Sequence, residues 1–372
     1  MNDYIQRHTS LSELGIWEKR KQNNALISFT LELTARCNNN CRHCYINLPE
    51  GDKQAIAAEL PFEKIKDIAD QAVAMGAVWC LITGGEPLLR PDFEEIYLYL
   101  KRQGLLVSVF TNATLIRDRH VELFRQYPPR DLEVTVYGIT KSVYGKVTRR
   151  PDLFDAFKEG LNRLLDNQIP VNLKGVFMKA NVAAFEAIGD FCRRHSARPF
   201  RFDPLLHLRF DGDESKNREI RAQRLDGETI AALEASDAGR LAAMQDHCDK
   251  LILPDRVIGD EHYLFSCGAG ISDFVVSYDG WFRLCSSLWH PDCIYDLKTG
   301  NLKEALAVFV PEIRAMTSTN PDYLNHCETC SLVNLCLWCP AHCYLETGCM
   351  DISCDHFCDV AKSRAALLNP DS

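Results

Sequence analysis

Three cysteines near the start of the chain have a spacing that suits metal chemistry. Cys37, Cys41 and Cys44 lie in the stretch CNNNCRHC, where three and then two residues separate them. A loop with this spacing can wrap three thiolates around one cube-like iron–sulfur cluster. Because full ligation of a four-iron cluster takes four cysteines, three would leave one iron open to a substrate or cofactor. The alternative from spacing alone is a zinc site that His43 completes.

A glycine-rich segment, TGGEPLL (83–89), comes later in the chain. Gly84 and Gly85 permit a close approach between the backbone and a ligand. The Glu86 carboxylate can accept a charge-assisted hydrogen bond from an ammonium group. A plain turn is the simpler explanation of two adjacent glycines.

The segment SVFTNATL (108–115) carries hydroxyl and amide side chains that suit a ribose diol. The candidates are Ser108, Thr111 and Asn112. A helix N-cap is the simpler alternative, since Thr and Asn favour such positions. Weaker candidates at later strand ends are Tyr137, Lys174 and Asp203.

Alternating strand and helix patterns predict how these segments are positioned. The stretch ALISFTLEL (26–34) predicts a buried strand that ends at the cysteine loop, and six strand–helix repeats extend over 26–206. Apolar strands alternating with helices indicate a parallel sheet covered by helices. We therefore predict an α/β fold, a partial (β/α)6 TIM-like barrel, with its site beyond the carboxyl ends of the strands. Cys80 and Cys192 fall in a strand and a helix pattern and are expected in the core.

The rest of the chain divides into three parts by composition. Residues 1–25 are predicted to be an N-terminal extension, and the charged, helix-prone 207–265 a helical connector. The segment 266–372 is rich in cysteine and loops, and metal clusters could stabilise it. Its strand-like beginning predicts a β-hairpin with the turn at Asp279–Gly280.

Bulk properties exclude several classes of function. The net charge is −9 and the pI about 5.7, so binding to the nucleic-acid backbone is not expected. The start lacks the apolar region of a signal peptide, and no apolar run approaches the roughly 20 residues of a membrane span. We expect a cytoplasmic protein without membrane or nucleic-acid partners. Since disulfides are rare in a reducing cytosol, the 17 cysteines point to metal binding.

The cysteine loop, GGEP and the TN segment together resemble the radical SAM (S-adenosylmethionine) enzymes. The resemblance implies that Cys37, Cys41 and Cys44 hold a 4Fe–4S cluster whose open iron chelates SAM. It also implies that GGEP holds the SAM amino group and that the strand end at 108–112 contacts the ribose. His43 stands where the family usually has an aromatic residue, and its imidazole can stack on adenine.

The later cysteines resemble the SPASM domain, an extension of radical SAM enzymes that binds auxiliary 4Fe–4S clusters. GWFRLC (280–285) matches its G-x₄-C element, and CETCSLVNLC (327–336) matches C-x₂-C-x₅-C. The resemblance implies a first auxiliary cluster on Cys267, Cys285 and Cys339. It implies a second on Cys327, Cys330, Cys336 and Cys358. Two residues, where the family has three, precede Cys339, so the surplus cysteines Cys343, Cys349 and Cys354 remain alternative ligands. A zinc ribbon is the other explanation.

The resemblance implies a radical SAM/SPASM oxidoreductase that forms a 5′-deoxyadenosyl radical and takes a hydrogen from a substrate. A ribosomally made peptide or protein is the expected substrate, modified by crosslinking, epimerisation or oxidation. A reductant such as flavodoxin or ferredoxin is expected. Only about 25 residues precede the first strand, too few for a peptide-recognition domain. A separate recognition protein, or direct binding of the peptide by the 207–265 segment, is therefore a further expectation. The alternatives are tailoring of a small molecule such as a tetrapyrrole, and a zinc-stabilised binding module without catalysis.

Overall fold

A single nine-stranded sheet runs through the protein, in the strand order β11-β10-β9-β1-β4-β5-β6-β7-β8. The computed structural model describes residues 26–246, 248–254 and 261–368. The predicted N-terminal extension, 1–25, lies outside the described residues. The strands are β1 Ser28–Thr34, β2 Arg36–Cys37, β3 Leu48–Pro49, β4 Trp79–Gly84, β5 Leu106–Thr111, β6 Asp131–Val136, β7 Asn172–Val176, β8 Arg201–Asp203, β9 Asp273–Val276, β10 Trp281–Arg283 and β11 Tyr295–Asp296.

Helices cover the sheet with amphipathic faces. In the helix that follows Pro61, the buried residues Ile65, Ile68, Ala69 and Ala72 recur with helical spacing. The helices of the barrel region are α1 Lys53–Ala58, α2 Phe62–Ala74, α3 Phe93–Arg102, α4 Asp118–Gln126, α5 Lys141–Thr148, α6 Phe154–Asp166 and α7 Phe185–His195. The later helices are α8 Glu214–Gln223, α9 Gly227–Ser236, α10 Ala238–Gln245, α11 Cys248–Leu251, α12 Leu302–Glu304, α13 Val310–Arg314, α14 Pro340–Thr347 and α15 Asp355–Leu368. Two π-helical turns are Ala305–Phe309 and Tyr323–Cys327, and short 3₁₀ turns are Pro87–Leu89, Pro151–Leu153, Val182–Ala184 and Pro291–Cys293.

The predicted α/β fold is confirmed. The six strands β1, β4, β5, β6, β7 and β8 pair in parallel in that order, as in a partial barrel. On β1 the side chains of Phe29, Leu31 and Leu33 are buried in the hydrophobic core. Thr30 and Glu32, at the alternate positions, face the inside of the barrel. The helices α1 and α5 of the barrel region were not predicted from the sequence, nor were the helices α12 to α15 of the segment expected to be rich in loops.

The predicted hairpin is present and is part of the main sheet. β9 and β10 pair antiparallel, and Gly280 has the positive φ of 92° that its turn requires. β9 also pairs in parallel with β1, from Ser28 opposite Asp273 to Leu31 opposite Val276. The cysteine-rich segment therefore extends the barrel sheet at the edge of β1.

Among its described residues the segment 207–265 contains the helices α8 to α11, joined by non-helical stretches, and α9 packs on the C-terminal helix. Glu234 on α9 is fully buried and forms ion pairs with Arg240 on α10 and Arg364 on α15. Two guanidinium groups offset the cost of burying this carboxylate. In the described part of the chain, no helix has both the length and the apolar character needed to cross a bilayer.

Candidate active site

A cavity of about 730 Å³ occupies the inside of the barrel, at the carboxyl ends of the strands. The predicted residues that line it are Cys37, Cys41, His43, Cys44, Gly84, Gly85, Thr111 and Asn112. Three later candidates, Tyr137, Lys174 and Asp203, line it too. Cys285, another predicted ligand, lines the cavity as well, so the structure brings together residues from distant parts of the chain.

The cysteine loop is held in place at both ends and in its middle. β2 and β3 pair Arg36 with Leu48 and close the loop. In its middle, the backbone N–H groups of Asn40 and Arg42 donate to the carbonyls of Thr148 and Val147, each at 3.0 Å. Those carbonyls belong to the last turn of α5, where carbonyls lack partners within the helix. The unpredicted helix α5 therefore anchors the loop.

Each thiol of the loop has its pKa raised, first of all by burial. For Cys41 the charges of Cys37 and Cys44 raise the pKa further. Hydrogen bonds act in the opposite direction. Backbone N–H groups of Ile46 and Asn47 lower the pKa of Cys44, and the Tyr137 hydroxyl lowers that of Cys41. A bound metal would deprotonate these thiols by supplying the positive charge they lack.

Glu86 lies beneath the cavity wall and joins the ends of two strands. Its carboxylate accepts hydrogen bonds from the Thr111 hydroxyl at 2.8 Å and the Asn112 backbone N–H at 2.7 Å. It also accepts one from the Leu88 N–H at 3.1 Å, so it caps the turn after GGEP. Burial raises the pKa of Glu86 to about 7. Its role toward an ammonium group stays a prediction, since the described partners of the carboxylate all belong to the protein.

The glycines before Glu86 allow two backbones to approach closely. A Cβ on Gly85 would lie 2.2 Å from the carbonyl oxygen of Arg36, the residue before Cys37. Gly84 has a φ of 125°, and a Cβ there would lie 2.3 Å from the carbonyl oxygen of Thr34. The two glycines therefore set the GGEP segment directly against the base of the cysteine loop.

The residues of the 108–115 segment have separate roles. Ser108 lies earlier on β5, donates to Asp131 at 3.2 Å and does not line the cavity. The segment after β5 forms a turn in which Ala113 has a φ of 63°. The N-cap alternative is wrong, because α4 begins only at Asp118.

His43 lies in the cavity wall beside Tyr137, with the ring centroids 5.5 Å apart. Burial lowers its pKa to about 4, with a further decrease from the charge of Lys174. Its Nδ1 is buried and has no hydrogen-bond partner. A neutral ring in this position can face a planar ligand, so adenine stacking stays a prediction.

A buried ion pair in the cavity wall was not predicted. Glu32 on β1 is 1% exposed and pairs with the fully buried Arg283 on β10. The Arg283 guanidinium also donates to the Ser286 carbonyl at 2.6 Å and lies 3.7 Å over the ring of Trp289. The available signal was a charged residue inside an otherwise apolar strand pattern, which needs a buried partner.

A second unpredicted pair involves Lys174. Its ammonium lies 3.0 Å from a carboxylate oxygen of Glu133 on β6 and 3.5 Å from Asp203 on β8. Lys174 also lies 5.2 Å over the ring of Phe110. These contacts hold a positive charge in the wall opposite β1.

One group of later cysteines lies next to the cavity. Cys285, two residues after Arg283, lines it. Burial raises the pKa of Cys285 to about 11, and the charges of Cys339 and Cys267 raise it as well. These are the three cysteines predicted for the first auxiliary cluster.

A second group of cysteines consists of Cys327, Cys330 and Cys336, which precede α14, and Cys358 on α15. Burial raises the pKa of Cys327 to about 12 and that of Cys336 to about 11, and the charge of Cys358 raises both. The charge of Cys330 contributes to the raised pKa of Cys336 and Cys358. The four cysteines predicted for the second auxiliary cluster are thus close neighbours.

The three surplus cysteines differ from one another. Cys343 is fully buried, and its thiol donates to the Ile352 carbonyl at 2.9 Å. Cys349 is exposed, whereas Cys354 is half-buried and close enough to raise the pKa of Cys336. The predicted zinc alternatives require ligands that converge to about 2.3 Å from one ion. In the residues that the structure describes, no group of three or more His, Cys, Asp or Glu side chains is arranged around a single metal ion, and this holds for the cysteine loop as well as for the later cysteines.

Comparison with known proteins identifies similarity over the part of the chain that carries the cavity-lining motifs. Residues 31–192 match the family model of the Radical SAM superfamily. They contain the cysteine loop, GGEP and the 108–115 segment. Residues 31–192 therefore contain a radical SAM domain, and members of the Radical SAM superfamily bind SAM and a 4Fe–4S cluster.

Two curated relatives show how far the sequence similarity extends. The chain is 26% identical over 258 residues to the antilisterial bacteriocin subtilosin biosynthesis protein AlbA of Bacillus subtilis, covering 69% of this chain and 54% of AlbA. It is 31% identical over 151 residues to the AdoMet-dependent heme synthase of Methanosarcina barkeri, covering 41% of this chain and 42% of the synthase. The matches thus span about half the length of each relative.

A solved structure is similar over most of the chain. Streptococcus suis SuiB bound to the precursor peptide SuiA has a TM-score of 0.66 at 16% identity, covering 90% of this chain and 77% of SuiB. SuiB bound to S-adenosylmethionine has a TM-score of 0.65 at the same identity. This similarity shows a shared fold that includes the cysteine-rich segment.

Proposed function

We propose that this protein cleaves SAM at Cys37, Cys41 and Cys44 and uses the resulting radical to modify a peptide. One observation carries the proposal: the three thiols line the same cavity as Gly84, Gly85 and the end of β5. Members of the superfamily bind SAM and a 4Fe–4S cluster. Here the cysteine loop, the GGEP segment and the end of β5, which the family pattern requires, meet at one edge of the sheet.

The residues present fit a 4Fe–4S cluster. Three buried sulfurs face one cavity, and each has a hydrogen-bond donor that favours its charged form. Cys37, Cys41 and Cys44 would hold the cluster, and the backbone at Gly84 and Gly85 would hold the SAM amino group. When bound, the reduced cluster and SAM supply a 5′-deoxyadenosyl radical that abstracts a hydrogen from the substrate.

The protein's own residues prepare the site in three ways. Glu86 fixes the end of β5 against GGEP through Thr111 and Asn112. His43 and Tyr137 form an aromatic wall beside the sulfurs. The barrel walls shield part of the cavity from water, which would protect a reactive intermediate from side reactions.

Auxiliary 4Fe–4S clusters are the second part of the proposal. The first would be held by Cys267, Cys285 and Cys339, and the second by the group Cys327, Cys330, Cys336 and Cys358. Because Cys285 lines the cavity, the first auxiliary cluster would be next to the substrate. Cys343 remains an alternative ligand, since its sulfur accepts the Ile352 backbone N–H at 3.3 Å and its charge raises the pKa of Cys327.

A peptide substrate is supported by two relatives. AlbA is a bacteriocin biosynthesis protein, and the SuiB structure contains a precursor peptide. The cavity volume of about 730 Å³ lies within the roughly 300–1,000 Å³ of small-ligand pockets, which suits SAM together with one or two side chains. We also propose a separate peptide-recognition protein and a flavodoxin or ferredoxin as reductant.

A tetrapyrrole is the second candidate substrate, favoured by the similarity to the heme synthase. That similarity covers 41% of this chain, compared with 69% for AlbA. The longer match favours a peptide.

The test incubates reconstituted enzyme, SAM and reductant with peptides encoded beside the gene, and in parallel with an iron tetrapyrrole. Mass spectrometry in deuterated buffer detects both crosslinks and epimerisation. A SAM-dependent mass change or deuterium uptake in a peptide is expected. A product from the tetrapyrrole and none from any peptide would contradict the peptide proposal.

A further inference from the structure

Asn112 makes a hydrogen bond to a sulfur of the cysteine loop. Its side-chain Nδ2 lies 3.7 Å from Cys37 Sγ and 2.9 Å from Asn38 Oδ1. Asn112 is 7% exposed and Asn38 is 5% exposed, so water does not compete with these contacts. The hydrogen bond to Asn112 lowers the pKa of the Cys37 thiol, although burial raises it more strongly.

The orientation of the Asn112 amide follows from its other partners. Its Oδ1 accepts hydrogen bonds from the Thr114 backbone N–H at 2.9 Å and from the Thr114 hydroxyl at 2.6 Å. A backbone N–H can only donate, so the amide oxygen must face Thr114. The NH₂ group is therefore the group that faces Cys37.

The Thr114 hydroxyl completes a closed ring of hydrogen bonds. It accepts from Asn38 Nδ2 at 2.7 Å while it donates to Asn112. The Asn112 backbone N–H is bound to Glu86. Main chain and side chain of Asn112 are both fixed, so the donor toward Cys37 is rigid and cannot turn freely toward a ribose.

We propose that Asn112 is a positioning residue that raises the reduction potential of the cluster at Cys37 through this N–H···S hydrogen bond. Hydrogen bonds to the sulfurs of an iron–sulfur cluster are one of the factors that set its potential. A donor stabilises the more negative, reduced state, so it makes reduction easier. The inference rests on the proposed function, because it requires the cluster at Cys37.

The test compares reduction potentials of anaerobically reconstituted full-length proteins. A reductive titration followed by EPR gives the midpoint of the cluster whose reduced signal changes when SAM is added. The variants are Asn112→Ala, which removes the donor, and Asn112→Asp, which replaces it with a carboxylate oxygen of nearly the same shape. Asn167→Ala, an exposed asparagine on the end of α6, is the matched control.

We expect lower potentials for both Asn112 variants than for the parent, with the larger decrease for Asn112→Asp, and no shift for Asn167→Ala. A purely structural role would lower the iron content without moving the potential of the clusters that form. An unchanged midpoint in Asn112→Ala would overturn the inference. If Asn112→Asp fails to retain the cluster, the neutral Asn112→Ala carries the comparison. A parent protein without a SAM-sensitive signal would instead overturn the proposed function, and the inference with it.

Discussion

At the scale of single residues, the buried carboxyl of Glu86 has a consequence for the dependence of stability on pH. Burial raises its pKa from 4.5 to about 7 in the folded protein. The folded state therefore binds the proton more tightly than the unfolded state does. The stabilisation that the bound proton contributes to the folded state is fully present below pH 4.5 and is lost as the pH rises through about 7.

We predict that Glu86→Gln makes the free energy of unfolding less dependent on pH between 6 and 8. Over this interval the free energy of unfolding of the parent should decrease by about 1 kcal/mol more than that of the variant. Urea unfolding of both proteins at pH 6, 7 and 8 measures the two slopes. Parallel slopes would mean that Glu86 does not titrate in this range.

His120 should have the opposite effect on the acid side. It is 2% exposed, and burial lowers its pKa from 6.5 to about 4. The stability from the neutral ring is present above pH 6.5 and is lost as the pH falls toward 4. Its Nδ1 accepts the Arg117 backbone N–H at 3.1 Å at the start of α4.

We predict that, between pH 7 and pH 5, the free energy of unfolding of His120→Gln decreases by about 1–2 kcal/mol less than that of the parent. Glutamine at this position can still accept the Arg117 N–H, as in a capping box. Urea unfolding at pH 8, 7 and 5 tests this, and the pH 8 values isolate the effect of packing. A variant that loses as much stability as the parent on acidification would refute the prediction.

Residue types and spacing predicted part of the site. The cysteines, the glycines and Thr111 line the cavity as expected, because they end strands or follow them directly. Ser108 lies outside it, since its position earlier on β5 directs it to Asp131. The donor role of Asn112 depends on Asn38 and Thr114, and the sequence alone does not reveal which polar groups will meet.

At the scale of elements, the contact between GGEP and the cysteine loop depends on glycine. We predict that Gly85→Ala lowers the free energy of unfolding by about 1–3 kcal/mol or more. The added methyl group would overlap the backbone carbonyls of Ala35 and Arg36. Gly51→Ala is the control, since no atom lies within 4 Å of its added Cβ. Thermal unfolding compares the midpoints of Gly85→Ala and Gly51→Ala. Equal midpoints would show that the close packing of GGEP against the cysteine loop does not require glycine at position 85.

The two groups of later cysteines give a prediction about iron content. Cys336→Ala should lower the iron content by about four atoms per chain, because Cys336 belongs to the second predicted cluster. Cys349→Ala should leave it unchanged, since Cys349 is exposed and outside both groups. Iron analysis after anaerobic reconstitution measures both. An equal loss in the two variants would show that the ligand assignment is wrong.

Strand and helix patterns predicted the barrel elements well because each has a strong apolar periodicity. The helix α5 was not predicted, because its apolar periodicity is weak and its helix propensity is low. Its buried residues are only Tyr144, Val147 and Thr148, and its sequence KSVYGKVT contains β-branched residues and a glycine. The parallel pairing of β9 with β1 was not predicted either. Parallel pairing across more than 200 residues leaves no local signal in the sequence.

At the scale of the whole molecule, the barrel and the cysteine-rich segment share one sheet and one cavity. The Glu32–Arg283 pair joins β1 to β10, and the cavity extends from Cys37 to Cys285. This arrangement would place the radical chemistry and the first auxiliary cluster in the walls of one chamber. The proposed function therefore requires both cysteine groups in one folded unit.

Cleavage of SAM by the reconstituted protein tests the central claim most directly. Parent, Cys37→Ala and Cys192→Ala are incubated anaerobically with SAM and a strong reductant, and 5′-deoxyadenosine is quantified by chromatography. Cys192 is the matched control, because it is a fully buried cysteine of the core on α7. We predict 5′-deoxyadenosine from the parent and from Cys192→Ala, and none from Cys37→Ala. Equal product from Cys37→Ala and the parent would contradict the account.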